Sequence, residues 1–121
     1  MPFDSALDRP PPKVVTDLLI AARARVKAGW CKGRWTRRRL TIHGWQQQYC
    51  MLGALGTVAV SGTAAELSLY APAHRHLHSA MRQLGYRYRT IPEFNDARHR
   101  SKGHVLEVCD LAIELSKECI Q

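Results

Sequence analysis

Tyr49-Cys50-Met51-Leu52-Gly53-Ala54-Leu55-Gly56-Thr57-Val58-Ala59-Val60 lies in the longest run of the chain without a charged side chain, and its reading decides the fold. Taken as a helix, it brings Cys50, Gly53, Ala54 and Thr57 to one face at steps of three and four. That face carries only small side chains. Each glycine inside a helix costs roughly 1 kcal/mol against alanine, so keeping two of them calls for another backbone packed very close to that face. The stretch therefore predicts a buried central helix, drawn from about Trp45 to Val60 and crossed at short distance by its neighbours.

The flanks supply further helices. Val14, Val15, Leu18, Leu19, Ala22 and Val26 recur at helical spacing over 13–28, and Gly29 gives a natural stop. Thr63 with Glu66 makes a capping box for a short helix that Pro72 should end. Leu77, Ala80, Met81 and Leu84 predict a helix over 72–84 that carries the histidines, closed by Gly85. The segment 91–96 reads as a turn or a single helical turn. Ser101 caps a last helix over 102–119 with Val105, Val108, Cys109, Ala112, Leu115 and Cys119 as its buried stripe. Between the first helix and the central one, 30–44 has no helical period, and the alternation of Leu40 and Ile42 with Thr41 and His43 fits a short strand. The expected architecture is mainly α: a compact bundle of four to five helices around the central one, with a short β-hairpin or an ordered loop between helices 1 and 2. Residues 1–12, with Pro10, Pro11 and Pro12 in succession, read as a flexible arm, and 13–121 as a single helical domain.

The totals limit the function classes. At 121 residues there is room for one core. No apolar run reaches the roughly 20 residues of a membrane span, and Met1-Pro2-Phe3-Asp4-Ser5 has no secretion-signal character, so the expectation is a cytoplasmic protein without a membrane partner. Four widely spaced cysteines read as free thiols. The net charge of +8 is unevenly spread: no acid occurs between Asp17 and Glu66, whereas Arg23, Arg25, Lys27, Lys32, Arg34, Arg37, Arg38 and Arg39 do. One side should be positive, with an acidic partner or a merely solvated face as its two explanations.

Three separated pieces belong together: Gly29-Trp30-Cys31-Lys32-Gly33, Tyr49-Cys50-Met51-Leu52-Gly53-Ala54-Leu55, and Ile91-Pro92-Glu93-Phe94-Asn95-Asp96. In this order the chain resembles a family of short bacterial and phage proteins catalogued as a domain of unknown function, whose pattern is a helix ending in Gly-Trp, a Cys-x-x-Gly-Ala-Leu helix, a Trp-Asn-Asp-like turn and a closing amphipathic helix. The resemblance spans most of 14–118. It departs at Phe94, where tryptophan is common, and in the more basic stretch 34–39. It implies a fold and carries no activity.

The candidate chemistry is then read from residues. Cys50 near a helix start, with a histidine and Asn95 or Asp96, is the makings of a small cysteine hydrolase, set against a packed core cysteine, which the small-residue face favours. His74 and His78 share a helix face and invite a metal, but the two further ligands of a structural zinc are missing, so no metal and no cofactor is expected. Asn95 and Asp96 also suit ordinary turn chemistry, which is the favoured reading. The basic and aromatic stretch weighs most. Lys32, Arg34, Trp35, Arg37, Arg38 and Arg39, extended by Arg87 and Arg89, offer forked donors for phosphate and rings for stacking. The expected function is non-catalytic binding through a loop over 30–45, to nucleic acid backbone or to an acidic protein surface. The alternatives are a phage-type inhibitor or adaptor that occupies a partner protein, and the Cys50 hydrolase. The oligomeric state is left open.

Overall fold

The computed structural model describes residues 12–60 and 69–118. Five helices and one antiparallel hairpin follow in the order α1 (Pro12–Ala28), β1 (Thr36–Thr41), β2 (Gly44–Tyr49), α2 (Met51–Val60), α3 (Tyr70–Gln83), α4 (Ile91–Asp96) and α5 (Lys102–Glu118) among the described residues. The arm before residue 12, the Thr63–Glu66 capping box and Cys119 lie outside them.

The mainly helical reading holds, and so does the hairpin between the first helix and the next. The helix expected over 45–60 needs a correction. It begins at Met51, and 44–49 is a strand paired with 36–41 in the register Thr36↔Tyr49 to Thr41↔Gly44. Trp45 and Tyr49 stand four apart and mimic a helical face, but between them lie three glutamines that bring no apolar group to a helix stripe. Pairing with β1 satisfies the backbone of 44–49 directly. The turn Thr41-Ile42-His43-Gly44 is fixed locally: the Thr41 hydroxyl donates to the Gly44 carbonyl at 2.9 Å and accepts from the His43 amide at 3.1 Å. Gly44, at φ +100°, takes the left-handed position that neither Ile42 nor His43 has to adopt.

The other helices keep close to their expected bounds. Pro72 sits in the first turn of α3, where its missing N–H costs nothing, and Gly85 (φ +94°) follows the end of that helix. The single turn α4 carries a capping box the sequence reading passed over: the Thr90 hydroxyl accepts from the Glu93 amide while the Glu93 carboxylate accepts from the Thr90 amide. Ser101 caps α5, its Oγ accepting from the His104 amide at 3.3 Å.

One core runs through all five helices, with Leu19, Val26, Leu55, Met81, Phe94 and Val108 among its buried members. Helix α1 packs against α2 and α5, and α5 also packs against α3. The α1–α5 seam includes a buried hydroxyl pair, Thr16 with Ser116 at 2.6 Å, and the Arg23–Asp110 ion pair at its edge. The Lys102 ammonium donates to the carbonyl of Lys27 near the C-terminal end of α1.

Candidate nucleic-acid interface and the cleft at its base

The segment after α1 anchors the hairpin to the helical body. The Tyr49 amide donates to the Gly29 carbonyl at 2.7 Å, the Cys31 amide to the Tyr49 carbonyl at 3.1 Å, and the Cys50 amide to the Trp35 carbonyl at 3.1 Å. That last carbonyl lies over Gly53: a Cβ there would come within 1.9 Å of the Trp35 oxygen. The close backbone approach expected for the small-residue face is therefore real, but the neighbour is the loop leading into β1. Further along the same face, Gly56 lies beside the rings of Trp35 and Tyr70, and Thr57 accepts from Arg25 of α1 at 2.7 Å.

Asn95 joins the three motifs. Fully buried, its Oδ1 accepts from the Trp30 indole at 2.8 Å and from the Met51 amide at 3.2 Å. Its Nδ2 donates to the Cys31 carbonyl at 3.1 Å and to Asp96 Oδ1 at 2.9 Å. That same oxygen of Asp96 accepts from the Gly33 amide at 2.9 Å. Turn chemistry is thus the wrong account of this pair. Asn95 meets all four of its hydrogen-bonding positions, and most of its partners are more than forty residues away in sequence. No local signal marks its distant partners, and only the shared order of the three motifs hints that they meet.

The hairpin carries the charge outward. Alternation places Arg38, Leu40, Trp45 and Gln47 on one face, and Arg37, Arg39, Gln46 and Gln48 on the other. Its base is held, with Gln48 buried and Gln46 donating to the Ala28 carbonyl at 2.8 Å. Beyond the base it is open, with Leu40 64% exposed, Ile42 95% and Trp45 63%, and in the loop before β1 Trp35 is 58% exposed. The Arg38 guanidinium lies 5.0 Å from the centre of the Trp45 ring. The ion pairs among the described residues are Arg23–Asp110 and Lys117–Glu114, so Arg34, Arg37, Arg38 and Arg39 are not neutralised by any carboxylate described.

Not every predicted cation belongs with them. Lys32 is turned inward, donating to the Ala97 carbonyl at 3.0 Å beside the Trp30 ring. Arg87 and Arg89 are exposed on the separate segment between α3 and α4, and no hydrogen bond or ring contact ties that segment to the hairpin among the described residues. Arg100, which sequence reasoning missed, stacks on Tyr86, Tyr88 and Phe94 and donates to the Phe94 carbonyl at 2.8 Å, a structural role.

The cysteine and histidine candidates are occupied by other work. Cys50 is buried, and its sulfur accepts from the Gly53 amide at 3.2 Å as the cap of α2. Burial pushes its thiol above the ordinary value, and the helix-start amides that pull the other way do not overcome it. Cys31 is likewise raised, by burial first and by the neighbouring Cys50 next. Cys31, Cys50 and Cys109 are all free thiols. A ring nitrogen of His78 faces the Arg89 carbonyl at 3.2 Å, and the His74 pKa is lowered by burial and then by His78. Among the described residues, no group of three or more His, Cys, Asp or Glu is placed to hold an ion, and no helix is long and apolar enough to cross a membrane.

Under the hairpin base lies a cleft of about 210 Å³ lined by Gly33, Arg34, Trp35, Cys50, Leu52, Pro92 and Asp96, residues drawn from all three motifs and from the start of the basic stretch. No curated protein and no solved structure matches the chain. A family model does match, over residues 10–115, and by that span the protein belongs to the family of unknown function DUF6197.

Proposed function

We propose that the protein is a non-catalytic binder of nucleic acid that grips the phosphate backbone with its β1–β2 hairpin. The observation that carries this reading is a set of four exposed arginines, Arg37, Arg38 and Arg39 on the ribbon and Arg34 in the loop that leads into it, with no carboxylate pairing them among the described residues. Unpaired guanidinium groups are suited to forked phosphate contacts, and exposed indoles beside them give stacking surfaces that tolerate any base. Contacts of this kind are largely indifferent to sequence and weaken steeply as salt is raised. The test is fluorescence anisotropy of labelled single-stranded and duplex DNA and RNA at low and high salt. Wild type should bind at least one of them. Changing Arg37, Arg38 and Arg39 together to alanine should weaken binding and lower the slope of log affinity against log salt by about 3. A triple variant that binds like wild type would remove the hairpin from the interface.

A second reading, an adaptor or inhibitor that docks on an acidic protein surface, is favoured by the exposed Trp45 beside Arg38 and by the almost fully exposed Ile42 at the tip, since aromatic and arginine side chains are enriched in protein hot spots. It predicts no binding to any of the four nucleic acids.

A further inference from the structure

We infer that the cleft at the hairpin base receives one unpaired guanine base of the bound strand, with Asp96 reading its Watson–Crick edge. This inference rests on the nucleic-acid reading of the hairpin. Asp96 is a positioned carboxylate: one oxygen, Oδ1, is fixed by the Gly33 amide and by Asn95 Nδ2, and Asn95 is itself fully buried and held by Trp30 and Met51. Neither of those bonds uses Oδ2. With both acceptor positions of Oδ1 taken, the two of Oδ2 remain, and a single oxygen so placed accepts from a pair of adjacent N–H donors; among the common bases guanine presents such a pair, N1–H beside the 2-amino group. Adenine, cytosine and uracil or thymine each place an acceptor at one of the two positions.

The rest of the lining fits a flat ring. Trp35, Leu52 and Pro92 supply apolar and aromatic walls, and the Arg34 guanidinium, unpaired by any described carboxylate, lines the same cleft beside the arginine run of the hairpin. It would meet the phosphate adjoining the inserted base. At about 210 Å³ the cleft is smaller than the roughly 300–1,000 Å³ of sites that enclose drug-sized ligands, which suits a single base. A base in a duplex keeps this edge paired, so the inference confines recognition to single strands.

The experiment compares a labelled ten-residue thymidine oligonucleotide with the same strand carrying one central guanine, and with free guanosine monophosphate as competitor. Wild type should prefer the guanine strand by about tenfold, the range of one bidentate base contact. Asp96→Asn retains an oxygen for the Gly33 and Asn95 donors but replaces Oδ2 by an NH₂ group, so it should fold as wild type and lose the preference. The Arg37, Arg38 and Arg39 triple alanine variant should weaken both strands and leave their ratio unchanged. Equal binding of the two strands by wild type, or a preference that survives Asp96→Asn, overturns the guanine site and leaves the hairpin reading standing. Guanosine monophosphate that competes as tightly as the guanine strand reassigns the cleft to a free nucleotide and overturns a strand-borne base. Absence of binding to either strand overturns the guanine site, and the hairpin reading falls with it only if duplex DNA and both forms of RNA also fail to bind.

Discussion

Asn95 shows how far one side chain can govern this fold. Its amide meets an indole, the first backbone amide of α2, the Cys31 carbonyl and the Asp96 carboxylate, and Asn95 itself has no solvent exposure. Removing it leaves several of these groups buried without partners, and each such group costs about 1–3 kcal/mol. Asn95→Ala should therefore destabilise the protein by about 3 kcal/mol or more, measured as a lowered urea midpoint at unchanged m-value. A loss below about 1 kcal/mol would mean that water readily replaces the amide. The residue itself was legible as special, since an Asn-Asp pair after a buried aromatic stands out in sequence. Its partners were not, because hydrogen bonds across forty or more residues leave no periodicity and no local spacing to read.

The second helix and the hairpin show why elements are read unevenly. The small-residue face of α2 was visible from composition, and so was the demand for a close backbone; which backbone would arrive was not, because 30–35 has no regular structure of its own. Its two glycines are now separable. At Gly53 an added methyl collides with the Trp35 carbonyl, whereas at Gly56 the nearest atoms, in the Trp35 and Tyr70 rings, stand at 3.6 and 3.9 Å, ordinary contact distances. Gly53→Ala should destabilise by at least about 2 kcal/mol despite the better helix propensity of alanine, and Gly56→Ala should stabilise by up to about 1 kcal/mol. Thermal melts of the two single variants check this, and two shifts of the same sign would contradict the packing described. The strand 44–49 is not legible in sequence, because Trp45 and Tyr49, four apart with only glutamines between them, fit both periods. An isolated two-stranded ribbon is marginal in water, so it is the attachment of β2 to Ala28, Gly29 and Cys31 that decides the matter, and that attachment is tertiary.

For the whole molecule, charge is segregated by architecture as well as by sequence. The acids of α5 include Asp110, paired with Arg23, and Glu114, paired with Lys117, so these two carboxylates meet cations of the helical body. The hairpin has none of its own, since its strands hold no acidic residue. The basic character was legible from the absence of acids over 18–65. The division of those cations into structural ones, Arg25 and Lys32, and exposed ones on the ribbon required the fold. Alanine at Arg37, Arg38 and Arg39 touches no core contact, so it should leave the melting temperature close to that of wild type while weakening nucleic-acid binding.

The most direct test of the hairpin as the binding surface is a titration of ¹⁵N-labelled protein with a short single-stranded oligonucleotide, followed by amide chemical shifts. The account predicts that the largest changes cluster in residues 33–47 and at Asp96, with the indole signals of Trp35 and Trp45 moving among them, while amides of α3 and α5 stay in place. Changes centred on the histidine-bearing helix α3 or on the Arg87–Arg89 segment, with the hairpin unmoved, would contradict it.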